Sequence, residues 1–328
     1  MKKQLQIIIG FLISIIFLYL AVRKVNFREI IRIILSIKIK YLIIAFIFSM
    51  LAQFVRSKRW QYIVNEEGSK YFHFFEATCV GLMTNNLLPF RIGDFVQAFF
   101  LSFKTGINKP RCFSTVVMER LVDLFFPLTI IIFGSFFVLL PQQISKIKII
   151  IVLIVLFSVL FFAIKHQHNF IRFLENYIPE CKLKQKFISV LENFFSGLKS
   201  INNKVTVLKI FILSLFVWII YILSTLFALE AFNINLTFFQ SSLVMAITAM
   251  SVVIPSSPGY IGTWEFFTII SLSIFGITKT HALSYALLNH FISWFTVVLF
   301  GFIVLIKNSV SLSQIENAQI SRENNFRT

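Results

Sequence analysis

Long apolar segments dominate this chain. Six of them are predicted to cross a lipid bilayer as α-helices, because about 20 consecutive apolar residues span its hydrocarbon core. They lie at roughly 5–22, 41–55, 113–140, 149–164, 207–231 and 281–306. With 57% hydrophobic and only 14% charged residues, the chain does not fit a soluble domain, in which about a quarter of the residues are charged. The sequence therefore predicts an all-α integral membrane protein.

Two further apolar regions, roughly 74–103 and 238–276, are interrupted in their middles by proline, glycine and polar residues. Each interruption contains the pattern Pro-x-x-Ile-Gly, beginning at Pro89 and at Pro258 and followed by an acidic residue. The two patterns lie 169 positions apart. An irregular turn at membrane depth has to be buried in protein or to line a wet cavity, because unpaired backbone groups are costly in hydrocarbon. Both regions are therefore predicted to be broken, re-entrant hairpins that face such a cavity.

The same offset relates other apolar segments, so two membrane repeats are predicted, at 1–140 and 141–306, followed by a disordered tail at 307–328. The loop at 165–204 holds seven basic and three acidic residues, which predicts a cytoplasmic position by the positive-inside rule. Two re-entrant hairpins then give the halves an inverted topology, as in many transporters, and place both termini in the cytoplasm. A single crossing at 74–103 fits the charge count equally well.

The charge balance is basic, with 31 lysine and arginine residues against 14 acidic ones. In a chain this apolar, basic loops lie against anionic lipid headgroups, so a nucleic-acid partner is not expected. The three cysteines have no short-spaced pair, and His166 and His168 form an isolated close pair. Neither pattern predicts a disulfide framework or a metal site, and no cofactor is expected.

Charged side chains cluster near the two interruptions, where they mark a functional site or pair with one another. Arginine suits an anionic ligand, because its planar guanidinium group binds two phosphate oxygens at once. Alternatively, Arg120 pairs with Asp123, or Arg91 with Glu119, and only fastens the first hairpin. The predicted lipid headgroup site comprises Arg91, Gly93, Asp94, Arg120, Gly259, Gly262 and Thr263, with Asn85, Glu119, Asp123, Glu265 and His290 as residues that order the arginines or carry protons.

Each interruption is also predicted to start a half-helix, whose free N–H groups and positive dipole end favour an anion. The starts are placed at Gly93 and Thr263, with Asp94 and Thr263 as candidate N-caps. Glycine at Gly93, Gly259 and Gly262 lets the backbone approach a ligand or another helix closely.

Three segments outside the interruptions have amphipathic or basic character. The pattern after Asn26 predicts a short helix over 27–34 that lies at the membrane interface or packs on the bundle. Residues 183–198 are predicted to form a second helix with the same two alternatives. A basic and aromatic cluster at the end of the second span is predicted to be an ordinary interface anchor. It consists of Arg56, Lys58, Arg59 and Trp60.

Four motifs carry a family resemblance. They are Asn85-x-x-x-Pro89-x-Arg91-x-Gly93-Asp94, Glu119-Arg120-Leu121-Val122-Asp123, Phe195-Ser196-Gly197-Leu198 and Pro255-Ser256-Ser257-Pro258-Gly259-x-x-Gly262-x-x-Glu265. With them, the chain resembles the lysylphosphatidylglycerol synthase transmembrane region family, also called UPF0104, from about residue 5 to 306. This is the flippase-like membrane domain of bacterial multiple peptide resistance factors. Gln97 departs from the family pattern, in which an arginine often follows the Gly-acid step.

The resemblance implies a protein that moves a phospholipid or a polyprenyl-linked anionic lipid between the leaflets of a bacterial inner membrane. It does not imply lysyl transfer, because only 22 residues follow residue 306 in place of the soluble aminoacyl-transferase domain, and the chain is not expected to be an enzyme. The alternative is a non-transporting membrane subunit that presents a lipid acceptor to a glycosyl- or aminoacyl-transferase. Transport of a small soluble anion is less favoured, because its aqueous path requires more polar residues along the spans.

Overall fold

The computed structural model describes residues 2–89, 91–138, 204–254 and 256–308, and every regular element within these ranges is helical. The helices are α1 (Lys2–Val22), α2 (Phe27–Leu35), α3 (Ile39–Val64), α4 (Tyr71–Leu87), α5 (Ile92–Thr105), α6 (Lys109–Phe137), α7 (Lys204–Ala231), α8 (Phe238–Met250), α9 (Thr263–Ser273) and α10 (Lys279–Lys307). Two short 3₁₀ turns, Ser251–Val253 and Pro258–Tyr260, lie between α8 and α9. The predicted all-α membrane fold is confirmed.

Long apolar helices give the molecule its membrane character. By length and composition, α3, α7 and α10 can each cross a bilayer, and Gly10–Val22 forms with α2 a further apolar pair that is bent by 80°. Their outward faces carry large apolar side chains, such as Ile47 and Phe216, which are 57% and 55% exposed. A lipid-facing surface has this character. The number of six spans stays a prediction.

Several predictions concern parts of the chain outside the described residues. These are the span at 149–164, the loop at 165–204 up to its last residue, the amphipathic segment at 183–198 and the tail beyond Asn308.

The short segment after α1 forms the helix that its sequence predicts. Asn26 caps α2, because its Oδ1 accepts hydrogen bonds from the backbone N–H groups of Arg28 at 3.1 Å and of Glu29 at 3.4 Å. On the apolar face, Ile30 is buried, whereas Ile31 is exposed. The apolar residues of α2 are therefore divided between the protein core and the outer surface.

Both apolar regions that are predicted to be interrupted are indeed broken. The first divides into α4 and α5 around residues 88–91, and the second into α8 and α9 around residues 251–262. The two helices of each pair pack against one another. Glycine permits the close approach of α4 and α5, since a Cβ at Gly93 would lie only 1.9 Å from the carbonyl oxygen of Gly81. The re-entrant course of the two pairs through the membrane stays a prediction.

Within the described residues, the order of helices α3 to α6 recurs in α7 to α10. Adding 169 to the first residues of α5 and α6, Ile92 and Lys109, gives 261 and 278, and α9 and α10 begin at Thr263 and Lys279. The helix contacts follow the same equivalence. Helix α4 contacts α10, and its equivalent α8 contacts α6, which is the equivalent of α10. The equivalent helices α3 and α7 contact one another. The inverted orientation of the halves and their boundaries stay predictions.

Candidate functional site

A cavity of about 420 Å³ lies where the two breaks meet. Arg91 borders it from the first break and Tyr260 from the second, and helices of both halves complete its walls. The breaks are in contact beside it, because a Cβ at Gly259 would lie 3.2 Å from the carbonyl oxygen of Asn86. This volume is typical of sites that hold small ligands.

The wall contributed by the first half is cationic, and it begins on α3. Arg56 lines the cavity, donating from Nε to Oε1 of Glu119 at 2.7 Å and from Nη2 to Oδ2 of Asp123 at 2.5 Å. Arg59, which is fully buried, donates to Oδ1 of Asp123 at 2.7 Å and to Oε1 of Glu119 at 3.3 Å. Each of the two α6 carboxylates therefore binds both arginines of α3.

Arg120 connects this ion-pair group to the first hairpin. Its Nε lies 3.1 Å from Oδ1 of Asp94, and its Nη2 donates to Oε1 of Gln97 at 3.0 Å. Gln97 is fully buried and donates in turn to Oε2 of Glu119 at 3.0 Å. Nη1 of Arg120 lies 3.4 Å from Asp123, so the pair that the sequence suggests is present. Gln97 thus has two partners here, although the sequence marks it only as a departure from the family pattern.

Arg91 stands at the first break in a left-handed backbone conformation, with φ of 52°. Its Nε lies 3.7 Å from Oδ2 of Asp94, and Nδ2 of Asn85 donates to Oδ1 of the same carboxylate at 3.1 Å. The alternative pairing of Arg91 with Glu119 is wrong, because the arginines of α3 occupy Glu119. The side chain of Arg91 remains 39% exposed, more than those of the other arginines in this wall.

These groups together form the arginine network, which consists of Arg56, Arg59, Arg91, Asp94, Gln97, Glu119, Arg120 and Asp123. Its four guanidinium groups face three carboxylates, so the network carries one excess positive charge. Nε and Nη1 of Arg59 have no hydrogen-bond partner among the described residues, and Nε of Arg91 and Nε of Arg120 are held by Asp94 as ion pairs without hydrogen-bond geometry. Because an unbalanced charge inside a membrane protein is costly, an anion in the cavity would stabilise this arrangement.

The wall contributed by the second half contains a histidine–carboxylate pair. His290 lines the cavity, and its Nδ1 lies 2.5 Å from Oε1 of Glu265. The second oxygen of Glu265 accepts a hydrogen bond from the backbone N–H of Gly262 at 2.7 Å. Trp264 stacks on the imidazole ring at a centroid distance of 5.0 Å and also lines the cavity. Glu265 therefore orients His290.

Positions related by the offset of 169 occur in both walls. Three such pairs of cavity-lining residues are Arg56 and Thr225, Arg91 and Tyr260, and Arg120 and Asn289. Arg91 and Tyr260 also share the left-handed conformation, with φ of 52° and 60°, which is uncommon for residues other than glycine and clusters at functional sites. At these three pairs of positions, the first half contributes an arginine and the second half a neutral polar side chain.

Helix α9 begins at Thr263 as predicted, and α5 begins at Ile92, one residue before the predicted Gly93, whereas the predicted N-caps differ. The N-cap of α5 is Arg91 and that of α9 is Gly262, so the assignment of Asp94 and Thr263 as N-caps is wrong. Asp94 lies in the first turn of α5, where it binds arginine. Thr263 is fully buried and donates to the carbonyl oxygen of Tyr260 at 2.9 Å.

The three glycines of the predicted headgroup site serve close packing. A Cβ at Gly93 would collide with α4, and one at Gly262 would lie 2.4 Å from the carbonyl oxygen of Ser14 in α1. Gly259 also has a positive φ, of 68°, which favours glycine. None of the three lines the cavity, whereas both predicted arginines do. Of the other predicted residues, Asp123 and His290 line the cavity, and Asn85, Asp94, Glu119, Thr263 and Glu265 do not.

The prediction of an interface anchor at the end of α3 is wrong for three of its four members. Arg59 and Trp60 are fully buried, and Arg56 is 8% exposed. The sequence contained a signal for this outcome, because Arg56 and Arg59 share one face of α3 while Glu119 and Asp123 share one face of α6. Complementary charges at helical spacing indicate an ion-pair group between two helices.

Most of the chain is similar in sequence to known proteins. The family model of the lysylphosphatidylglycerol synthase TM region matches residues 7–301. The chain belongs to this family. A UPF0104 membrane protein of Methanocaldococcus jannaschii is 27% identical over 90% of this chain and 93% of its own length. A UPF0104 membrane protein of Pyrococcus horikoshii is 25% identical over 94% of this chain and 98% of its own length. No solved structure matches.

Membership in the lysylphosphatidylglycerol synthase TM region family confirms the resemblance and the assignment as a membrane protein. The similar proteins above are archaeal, so a bacterial inner membrane stays a prediction, as do cytoplasmic termini. Of the four motifs that carry the resemblance, the first two supply five of the eight members of the arginine network, and the last supplies the second break. The motif Phe195–Leu198 lies outside the described residues.

Proposed function

We propose that this protein moves an anionic lipid, a phospholipid or a polyprenyl-linked lipid, between the two leaflets of its membrane. The excess positive charge of the arginine network carries this proposal. Arg56, Arg91 and Arg120 bring guanidinium groups to one cavity, and Arg91 is the most exposed of them. A guanidinium group binds two phosphate oxygens at once, so a headgroup phosphate suits this wall.

The position of the cavity between the two halves fits a path for the headgroup. Irregular backbone at membrane depth is tolerated where it is buried in protein or lines a cavity, and the two breaks border this one. The headgroup would pass between the halves while the acyl or prenyl tails stay in the surrounding lipid. This step forms and breaks no covalent bond, so the protein acts as a transporter rather than as an enzyme.

Lipid movement in liposomes that contain only the purified protein tests this proposal. The readout is the rate at which a headgroup-labelled anionic lipid becomes accessible to a quencher outside. Arg91→Ala is expected to slow this rate by about tenfold, because it removes a charge-assisted contact of about 1.4 kcal/mol.

Arg111→Ala is the matched control. Arg111 is an exposed arginine that pairs with Glu66 at 2.7 Å and does not line the cavity. Its removal is expected to leave the rate unchanged. Equal rates for the wild type and Arg91→Ala would remove Arg91 from the mechanism.

The family description, which names a region of a synthase, favours a second candidate. In it, the protein presents a lipid acceptor to a separate glycosyl- or aminoacyl-transferase and uses the same phosphate site without moving lipid. Copurification with such a transferase, together with no lipid movement by the isolated protein, would support the second candidate and contradict the first.

A further inference from the structure

The histidine–carboxylate pair in the second wall of the cavity has room for one additional proton. Nδ1 of His290 lies 2.5 Å from Oε1 of Glu265, and the other oxygen of Glu265 accepts from the backbone N–H of Gly262. An ionised carboxylate only accepts hydrogen bonds, so Nδ1 donates and carries the proton of the neutral ring. Nε2 of His290 makes no hydrogen bond to another described residue. A proton that enters from the cavity therefore binds at Nε2.

Two neighbours of His290 interact favourably with a positive charge on its ring. Glu265 is 3% exposed and pairs directly with the imidazole, so its negative charge attracts an imidazolium. Trp264 stacks on the ring at a centroid distance of 5.0 Å, and the face of an indole attracts a cation. Histidine is also the side chain whose ordinary charge change lies nearest to neutral pH. In this wall, His290 is therefore the residue suited to gain and lose a proton.

The other titratable groups of the cavity belong to the arginine network or are tyrosines. Among the described lining residues they are Arg56, Arg91, Arg120, Asp123, Tyr221, Tyr260 and Tyr285. Asp123 is already bound by arginines. Helices α2 and α4 also pack on α10, but none of their titratable residues lines the cavity. The guanidinium groups therefore oppose a proton on His290 until an anion neutralises them.

The balance of charge across both walls depends on this proton. The arginine network holds four guanidinium groups and three carboxylates, and Glu265 adds a fourth carboxylate. These groups cancel while His290 is neutral and carry one positive charge when it is protonated. A phosphodiester with one negative charge then restores neutrality. Because unbalanced charge inside a membrane is costly, the anion and the proton strengthen one another's binding.

We propose that the protein carries one proton with each anionic lipid, and that His290, held by Glu265, is the proton site. The proton comes from water on one side of the membrane, binds Nε2 of the neutral imidazole while the phosphate occupies the cavity, and leaves to water on the other side. The phosphate and the proton together have no net charge, so the coupled step is electrically neutral. This inference rests on the proposed lipid movement and names the ion that accompanies the lipid.

Liposomes with an imposed pH gradient test this inference. The probe is phosphatidylethanolamine that carries its fluorophore on the amine, which leaves one phosphodiester charge. If one proton accompanies each lipid, the probe accumulates in the leaflet on the alkaline side, by up to about tenfold for one pH unit. This direction does not depend on the orientation of the protein in the vesicle. A membrane potential of about 59 mV, which would bias a lone anion about tenfold, is expected to produce no bias.

His290→Gln removes the proton site and keeps a hydrogen-bond donor for Glu265. In this variant the pH gradient is expected to lose its effect, and the membrane potential is expected to bias the probe instead. His281→Gln is the matched control, because Nε2 of His281, on the same helix, lies 2.8 Å from the carbonyl oxygen of Phe232 and His281 does not line the cavity. It is expected to behave like the wild type. Circular dichroism checks that both variants are folded.

Proton uptake in detergent tests the same site without a membrane. The ligand is dioctanoyl phosphatidylmethanol, because its phosphodiester is its sole ionisable group and stays ionised near neutral pH. Quenching of tryptophan fluorescence reports binding, since three of the four tryptophans line the cavity. A pH-sensitive dye in weakly buffered solution between about pH 6 and 8 is expected to report net proton uptake on binding to the wild type, and none with His290→Gln.

A probe distribution that ignores the pH gradient, while the protein still moves lipid, would overturn the inference and leave the proposed function standing. Binding of phosphatidylmethanol without proton uptake would overturn it as well. A bias by the pH gradient that persists in His290→Gln would also overturn it, because another group would then carry the proton. Absence of any lipid movement that depends on the protein would contradict the proposed function itself.

Discussion

The two breaks occupy equivalent positions in the chain, yet different interactions hold them. At the first break, the carboxylate of Asp94 lies 3.1 Å from the guanidinium group of Arg120 and accepts a hydrogen bond from Asn85. At the second break, Oγ of Ser14 in α1 accepts a hydrogen bond from the backbone N–H of Ser257 at 2.7 Å. Ion pairs with two arginines therefore stabilise the first break, whereas hydrogen bonds to the backbone and the Glu265–His290 pair stabilise the second.

This difference shows how two chain segments with the same sequence pattern produce two unlike walls around one cavity. The offset of 169 relates positions in the two segments, and the side chains then decide the chemistry of each wall. Arg120 and Asn289 illustrate this, because both line the cavity from equivalent positions of α6 and α10. The cavity therefore has one wall with an excess of positive charge and one wall with a histidine–carboxylate pair and neutral polar side chains.

The largest effect is expected from breaking the arginine network at Glu119. This residue is fully buried and binds Arg56 and Arg59, so Glu119→Gln leaves buried guanidinium groups uncompensated, at a cost of about 3–5 kcal/mol. Glu265→Gln at the second break is expected to cost less than about 2 kcal/mol, because an amide oxygen still accepts from the N–H of Gly262. Thermal unfolding in detergent measures both. Equal drops in unfolding temperature would contradict the division between the breaks.

The packing of the first hairpin is expected to be nearly as sensitive. Gly93→Ala would place a Cβ 1.9 Å from the carbonyl oxygen of Gly81, so α4 and α5 would have to separate, at a cost of about 3 kcal/mol. Gly276→Ala is the control, because it has open space around it and only a positive φ, of 75°, which costs about 1–2 kcal/mol. A Gly93→Ala protein that unfolds at a higher temperature than Gly276→Ala would argue against the close helix contact.

Exchanging equivalent residues between the two walls sharpens the comparison. Arg120→Asn is expected to lower the affinity for phosphatidylmethanol about tenfold, or about 1.4 kcal/mol, because it removes a cation from the phosphate side. Asn289→Arg is expected to raise this affinity, because it adds a cation to the second wall of the cavity. Fluorescence titration measures both, and circular dichroism checks that each variant is folded. Unchanged affinity in Arg120→Asn would exclude this arginine from phosphate binding.

The smallest effect is expected where α1 supports the second break. Ser14→Ala removes one hydrogen bond to the backbone of Ser257, at a cost of about 1 kcal/mol. Amide hydrogen exchange should then quicken at 256–262 and stay unchanged at 91–94. Equal acceleration at both breaks would show that α1 does not act on the second break alone.

Local sequence signals predicted the positions of the two breaks. Proline together with glycine and polar residues interrupts an apolar run, so the patterns beginning at Pro89 and Pro258 locate both breaks without knowledge of the fold. The predicted site was less complete. Arg91 and Arg120 were found from their position near a break, whereas Arg56 was read as an interface anchor, because an arginine at the end of an apolar segment is compatible with either role.

By itself, the sequence determined the apolar helices, the two interruptions and the family, because runs of apolar residues and helix-breaking residues act over a few neighbouring positions. Only the tertiary structure decided which charges meet and which side chains reach the cavity. Arg56 and Glu119 are 63 positions apart, and their contact depends on the packing of α3 against α6. Local sequence therefore determines the helices and their breaks. The balance of charge inside the cavity arises from contacts between helices that are distant in the chain.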